Sequence, residues 1–213
     1  MRRDWGLLVL CAAVSVGVAR AQTDVSASVY GAFSGKTDGN GVTQSPSNAA
    51  GALFEVRHIK NPLVGFEATY AFNRANQSYT SDSAVSCGVP CGNISTFAST
   101  HIPANAHEVT ADWVASFGVL NLRPFVLAGG GLLLNVPSAG ESTGGNTTTS
   151  TQTQTKGTLV YGGGLDYGVL PHLGLRFQYR GNVYKAAQLS TVFSSSGQFV
   201  HTAEPMIGAY FKF

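Results

Sequence analysis

The stretch that decides the fold is Pro205-Met206-Ile207-Gly208-Ala209-Tyr210-Phe211-Lys212-Phe213. Ile207, Ala209, Phe211 and Phe213 alternate with Met206, Gly208, Tyr210 and Lys212. Successive side chains of a strand point to opposite faces, so this segment has one greasy face and one mixed face. A soluble protein gains little from an aromatic-tipped strand of this kind. A barrel that turns its apolar face to lipid and rings its rim with aromatics uses one directly.

The same two-residue period recurs upstream. Residues 25–34 set Val25, Ala27, Val29 and Phe33 against Ser26, Ser28 and Tyr30, and residues 63–73 set Val64, Phe66, Ala68, Tyr70 and Phe72 against Gly65, Glu67, Thr69 and Ala71. Comparable segments span 49–58, 106–117, 123–134, 157–169 and 173–180, which with the closing strand makes eight. Each is close to the ~9–11 residues of a tilted membrane-crossing strand. The connections alternate: long at 35–48, 74–105, 135–156 and 184–201, short at 60–62, 118–121 and 170–172. The long ones are rich in turn-forming polar residues and are expected to be loops. The prediction is an all-β fold, an eight-stranded antiparallel up-and-down transmembrane β-barrel. A soluble barrel of the same strand number would turn its apolar face inward and has no reason to alternate its connections.

Composition agrees. Charged residues make up 11% of the chain, against roughly a quarter in ordinary soluble domains. Beyond the first 21 residues no segment stays apolar for the ~20 residues that a membrane helix needs. Arg2 and Arg3, the apolar run 6–18 and Ala19-Arg20-Ala21 form a secretory leader, so residues 1–21 are expected to be removed and 22–213 to form the barrel. Removal takes Lys+Arg from 13 to 10 and Asp+Glu from 11 to 10. A neutral mature chain gives no support to nucleic-acid binding.

Three stretches resemble the group of small eight-stranded outer-membrane barrels that includes OmpX, the OmpA transmembrane domain and the opacity proteins. They are Pro124-Phe125-Val126-Leu127-Ala128-Gly129-Gly130-Gly131, the segment YGGGLDYGVLPHLGLRFQY from Tyr161 to Tyr179, and the closing AYFKF. The resemblance implies a bacterial outer-membrane location, with short turns on the periplasmic side and long loops outside. It further implies contact with outer-membrane lipid, Phe211 and Phe213 as part of the signal read by the barrel-assembly machinery, and a monomer with no peptidoglycan-binding domain.

The inward positions collect Glu55, Arg57, Glu67, Glu108, Asp112, Asp166, Arg176, Arg180 and Lys212. Eight strands enclose only enough space for side chains, so a mutually neutralising plug is expected, with a narrow gated ion path as the alternative. Cys87 and Cys91 (CGVPC) lie in the longest connection, where export favours a disulfide. Their spacing does not suit a redox motif. His101 and His107 do not complete a metal set with them, so neither metal nor cofactor is expected. Gly129–131 and Gly162–164 lack the Lys and Ser/Thr of a phosphate loop and are expected to make room in the lumen and permit curvature. Ser194, Ser195, Ser196, His201 and Glu204 contain the residue types of a hydrolase triad but no matching motif. Trp113, Phe117, Tyr167, Phe211 and Phe213 are expected to form the periplasmic aromatic girdle. The function expected from all this is a non-enzymatic barrel that displays four outer loops to an extracellular partner or strengthens the envelope, with a narrow gated channel for small solutes or ions as the alternative and an outer-membrane lipid-modifying enzyme as the third reading.

Overall fold

The computed structural model describes residues 22–61, 63–86, 93–138, 141–143, 150–191 and 193–213. The expected leader and the Cys87/Cys91 pair lie outside them. Among the described residues thirteen strands follow in order: β1 (Gln22–Ser34), β2 (Thr37–Gly39), β3 (Val42–Pro46), β4 (Ala49–Asn61), β5 (Val64–Arg74), β6 (Gln77–Ser86), β7 (Asn93–Ile102), β8 (Ala104–Ser116), β9 (Leu122–Pro137), β10 (Glu141–Thr143), β11 (Gln154–Gly168), β12 (Leu173–Lys185) and β13 (Phe199–Lys212).

Eight of these close a barrel in the order β1-β13-β12-β11-β9-β8-β5-β4, every pair antiparallel. Closure leaves no unpaired edge. The faces are as the two-residue period requires. Val29, Phe54, Phe66, Val109, Leu159 and Ile207 are exposed on the outside, while Ser28, Glu55, Glu67, Glu108 and Thr158 are buried inside. Trp113, Phe117, Tyr167, Phe211 and Phe213 are all exposed on the outer face toward the short-turn end. This is a barrel built for an apolar solvent outside and a polar interior. No described helix is long and apolar enough to cross a membrane, which bears on helices alone.

Glycine sets how closely the wall can curve. Gly51 lies beneath the Tyr30 ring, Gly174 beneath Tyr210 and Gly181 beneath Tyr161, each a cross-strand or near neighbour whose ring fills the place of a side chain. In the two glycine runs a Cβ on Gly129 would strike Asp112, and one on Gly164 would strike Phe125 and the backbone of β12.

The long connections differ from expectation. β2, β3, β6, β7 and β10 form a second, five-stranded sheet in the order β10-β7-β6-β3-β2. That order copies β9-β8-β5-β4-β1, so on one side the wall continues past the rim as a sheet. Asn40 and Gly41, at φ 54° and 71°, make the two-residue turn between β2 and β3. Positive φ at both positions gives the twist that a tight hairpin needs, and Asn-Gly meets it at little cost. The closing strand likewise starts at Phe199, inside the connection 184–201 expected as a loop. At the other end, Asn61 completes β4 instead of forming a turn with Lys60.

Candidate functional site

The fourth connection, described over 186–191 and 193–198, does not stand free as a loop. It folds under the second sheet and caps the barrel mouth. Val42, Tyr79, Ile102 and Ala104 from the sheet side pack with Ala187, Leu189 and Phe193 in one buried apolar cluster. The Tyr79 hydroxyl, fully buried, donates to the Ala187 carbonyl at 2.8 Å and accepts from the Leu189 N–H at 3.0 Å. Gln44 donates to the same Ala187 carbonyl at 2.8 Å, and Thr37 and Ser196 share a hydrogen bond of 2.9 Å. Burial pushes the Tyr79 phenol up to about 12. The opposite face of the sheet carries Thr43, Thr80 and Ser99 in one cross-strand row and Ser45, Ser78 and His101 in the next. It is a hydroxyl-rich surface on an ordered frame.

Below the cap the lumen is charged. Strand alternation turns Asp24, Glu55, Arg57, Glu67, Asp166 and Arg176 toward one another from five strands. Arg57 holds Glu67 through Nε at 2.8 Å and Nη2 at 2.6 Å, with Glu55 at 3.1 Å and Asp166 at 3.5 Å. Arg176 grips Asp166 through two nitrogens at 2.7 and 2.9 Å, reaches Asp24 at 3.0 Å and Ser26 at 3.2 Å, and pairs with Glu55. The Phe125 ring lies 4.0 Å from the Arg57 guanidinium carbon and 5.6 Å from that of Arg176. Two-point contacts of this kind fix direction as well as charge.

A second group lies nearer the cap. Arg180 reaches Glu108 at 3.3 Å, Thr110 at 3.0 Å and Asp112 at 3.7 Å, while Asn182 donates to Glu108 at 3.0 Å. Around it several buried polar atoms have no hydrogen-bond partner: Ser28 Oγ, the Gln178 amide, Arg180 Nε and Nη1, and Asn182 Oδ1. Among the described residues three guanidiniums thus face seven carboxyls in the buried lumen. The structure brings together eight of the nine residues that the sequence singled out. Lys212 stands apart at the short-turn mouth, half-exposed and outside these ion pairs. Sequence reasoning missed Asp24 and Glu204, both buried on the inner face, although each falls in phase with inward neighbours, Ser26 and Met206 respectively.

The Ser/His/acid set does not assemble. Glu204 is buried in the lumen, whereas His201 lies on the outer face, where its Nε2 is 2.7 Å from the Tyr161 hydroxyl. Ser195 donates to the Ala186 carbonyl, and Ser196 is committed to Thr37. His107 pairs with the Tyr70 hydroxyl at 2.9 Å and His101 with Ser78 at 3.1 Å. Among the described residues no group of three or more His, Cys, Asp or Glu is arranged to hold a metal.

No protein-family model matches the chain, and no curated protein matches it in sequence. Solved structures do match in shape. Ail, the attachment invasion locus protein of Yersinia pestis, in complex with the heparin analogue sucrose octasulfate, is 18% identical with a TM-score of 0.50, over 92% of this chain and 100% of that one. The chain has the fold of the small outer-membrane β-barrels. The outer membrane protein OprG of Pseudomonas aeruginosa is similar at the same TM-score of 0.50 with 10% identity, over 91% of this chain and 96% of that chain. At such identities the likeness extends to the fold alone. The outer-membrane barrel expected from strand alternation and from the closing AYFKF is the barrel observed.

Proposed function

We propose that this is a non-enzymatic outer-membrane protein whose closed barrel holds an ordered sheet above the membrane as a surface for extracellular contact. The observation that carries the reading is the cap. Ala187, Leu189 and Phe193 cover one side of the second sheet with apolar packing, which leaves its hydroxyl-rich side as the presented face. A rigid frame with a displayed surface is the usual arrangement for recognition. The Ail structure, determined with a heparin analogue, supports a saccharide as the first class of partner to test. Cells carrying the chain and cells carrying Thr43→Glu, Thr80→Glu and Ser99→Glu together are compared for adhesion. The reading predicts lower adhesion with the barrel still folded. Unchanged adhesion would count against it and leave envelope strengthening, checked by leakage of a periplasmic enzyme.

A narrow path for small cations is the second reading. It is favoured by the carboxyl excess in the lumen and by the unpartnered polar atoms around Arg180, since polar pore linings select by charge.

A further inference from the structure

On the inward phase of its strands the short-turn end contains two cations, Arg123 and Lys212, that the ion pairs among the described residues leave over. The register sets Arg123 opposite Asp166 and Lys212 opposite Asp24, the relation in which cross-strand pairs form. Neither pair forms. Asp166 turns to Arg57 and Arg176, and Asp24 turns to Arg176. Among the described residues Arg123 keeps the Gln22 side-chain oxygen, at 2.5 Å, and Lys212 is in no ion pair. Both belong to the inward set of their strands, since Leu122 and Phe211 beside them are exposed on the outer face.

These cations border a cavity of about 370 Å3, with Gln22 and Tyr210, and no Asp or Glu lines it. Its other side consists of two turn tips, Leu120 on one and Val169 and Leu170 on the next. All three are exposed, Leu120 completely. Leu120 also holds φ at 58°, in a two-residue turn closed by hydrogen bonds between Val119 and Leu122. A side chain other than Asn or Gly is disfavoured in that conformation, and strain kept without any packing in return points to use.

We propose that this mouth captures the free carboxylate end of a polypeptide, with the carboxylate between Arg123 and Lys212 and the terminal apolar side chain against Leu120, Val169 and Leu170. Charge selects an anion, because two cations meet no lining acid. The turn tips select an apolar arm next to it. Direction favours a polypeptide over a bilayer lipid, because Arg123 and Lys212 belong to the inner face of their strands; of the cavity's lining, Leu122 is the residue that turns to the outer face. The volume is that of a small-ligand site, enough for the last one or two residues of a chain. Capture of a terminal carboxylate is a recurrent mode of peptide recognition.

The test uses the folded chain in lipid nanodiscs and the peptide N-acetyl-Ala-Leu-Phe, as free acid and as C-terminal amide. NMR follows the backbone amides of Leu120, Arg123 and Lys212. The free acid is expected to give saturable shifts, and the amide to bind at least tenfold more weakly. Arg123→Gln with Lys212→Gln should abolish saturation. Leu120→Asn should weaken binding several-fold while raising the urea midpoint of unfolding, the reverse of what a purely structural residue would show. Equal binding of acid and amide overturns the proposal, and that comparison needs no variant to fold. Shifts produced by adding phosphatidylglycerol but not by peptide would overturn it too, and would assign the mouth to lipid.

Discussion

The barrel and its cap are built on opposite polarity by one chain. In the barrel, Arg57, Arg176 and Arg180 are inside and Phe54, Phe66 and Phe177 outside. In the cap, Tyr79, Ile102, Leu189 and Phe193 are inside, and Thr43, Ser78 and Thr80 outside. The two regions are joined by continuous strands, with β4 and β5 passing into β3 and β6. What inverts between them is the solvent. A lipid-facing wall has no apolar surface to hide, so it coheres through hydrogen bonds and charges within; a water-facing sheet coheres by burying apolar area on one side. The two regions should therefore fail in different ways.

The largest expected effect is in the barrel. Arg176→Ala strands Asp24 and leaves Glu55 and Asp166 to Arg57 alone, and should cost about 3–5 kcal/mol, the penalty for breaking a buried pair. Urea unfolding in lipid vesicles reads it, with Arg180→Ala as the comparison. Arg180 makes longer contacts, at 3.3 and 3.7 Å, and its loss should cost less. Equal costs would break the ranking drawn from geometry.

The cap should respond to a change in packing. Tyr79→Ala removes a fully buried ring stacked 6.1 Å from Phe193 and should cost the cap about 3–5 kcal/mol. Hydrogen exchange is expected to rise at Leu189 and its neighbours while barrel amides stay protected. Tyr79→Phe keeps the ring but leaves the Leu189 N–H without its acceptor, for a smaller loss of about 1–3 kcal/mol. If barrel amides loosened equally, cap and barrel would be one cooperative unit.

The smallest effect is set by pH. The Tyr79 phenol is raised from 10.0 to about 12 by burial. A raised phenol stabilises the fold fully below the unfolded value, and that contribution disappears as pH climbs through the folded one. Phenolate absorbance of the cap tyrosine should therefore appear only near pH 12, together with faster exchange at Leu189. Titration near 10 with the cap intact would show that Tyr79 is not buried as described.

Most of the barrel was legible in the sequence because a wall between lipid and lumen imposes a strict two-residue period. Val64 to Phe72 and Ile207 to Phe213 show it without interruption. The inward charges were legible for the same reason, and Asp24 and Glu204 escaped because each lies just before a stretch, 25–34 or 205–213, in which the alternation is clear. The cap was not legible. In Val42-Thr43-Gln44-Ser45 the buried face includes a glutamine and the half-buried face only hydroxyls, so the polarity contrast that marks a strand is faint. Asn40-Gly41 was the one local signal of the β2–β3 hairpin. That 186–198 folds inward follows from contacts with Tyr79 and Gln44, more than a hundred residues away in the chain. The periplasmic-type turn tips carried a different message: leucine at 120 violates turn preference, and only the backbone angle reveals it.

The central claim is that this barrel is a closed scaffold, plugged by paired charged side chains below and capped above. Single-channel recording of the purified, folded chain in a planar lipid bilayer tests it most directly. A sample shown to be folded should be silent, and should begin to conduct when Arg176→Ala and Arg180→Ala are combined. Stable, discrete conductance steps from the unmodified protein would contradict the claim and make the lumen, with its excess of carboxyls, the working part of the molecule.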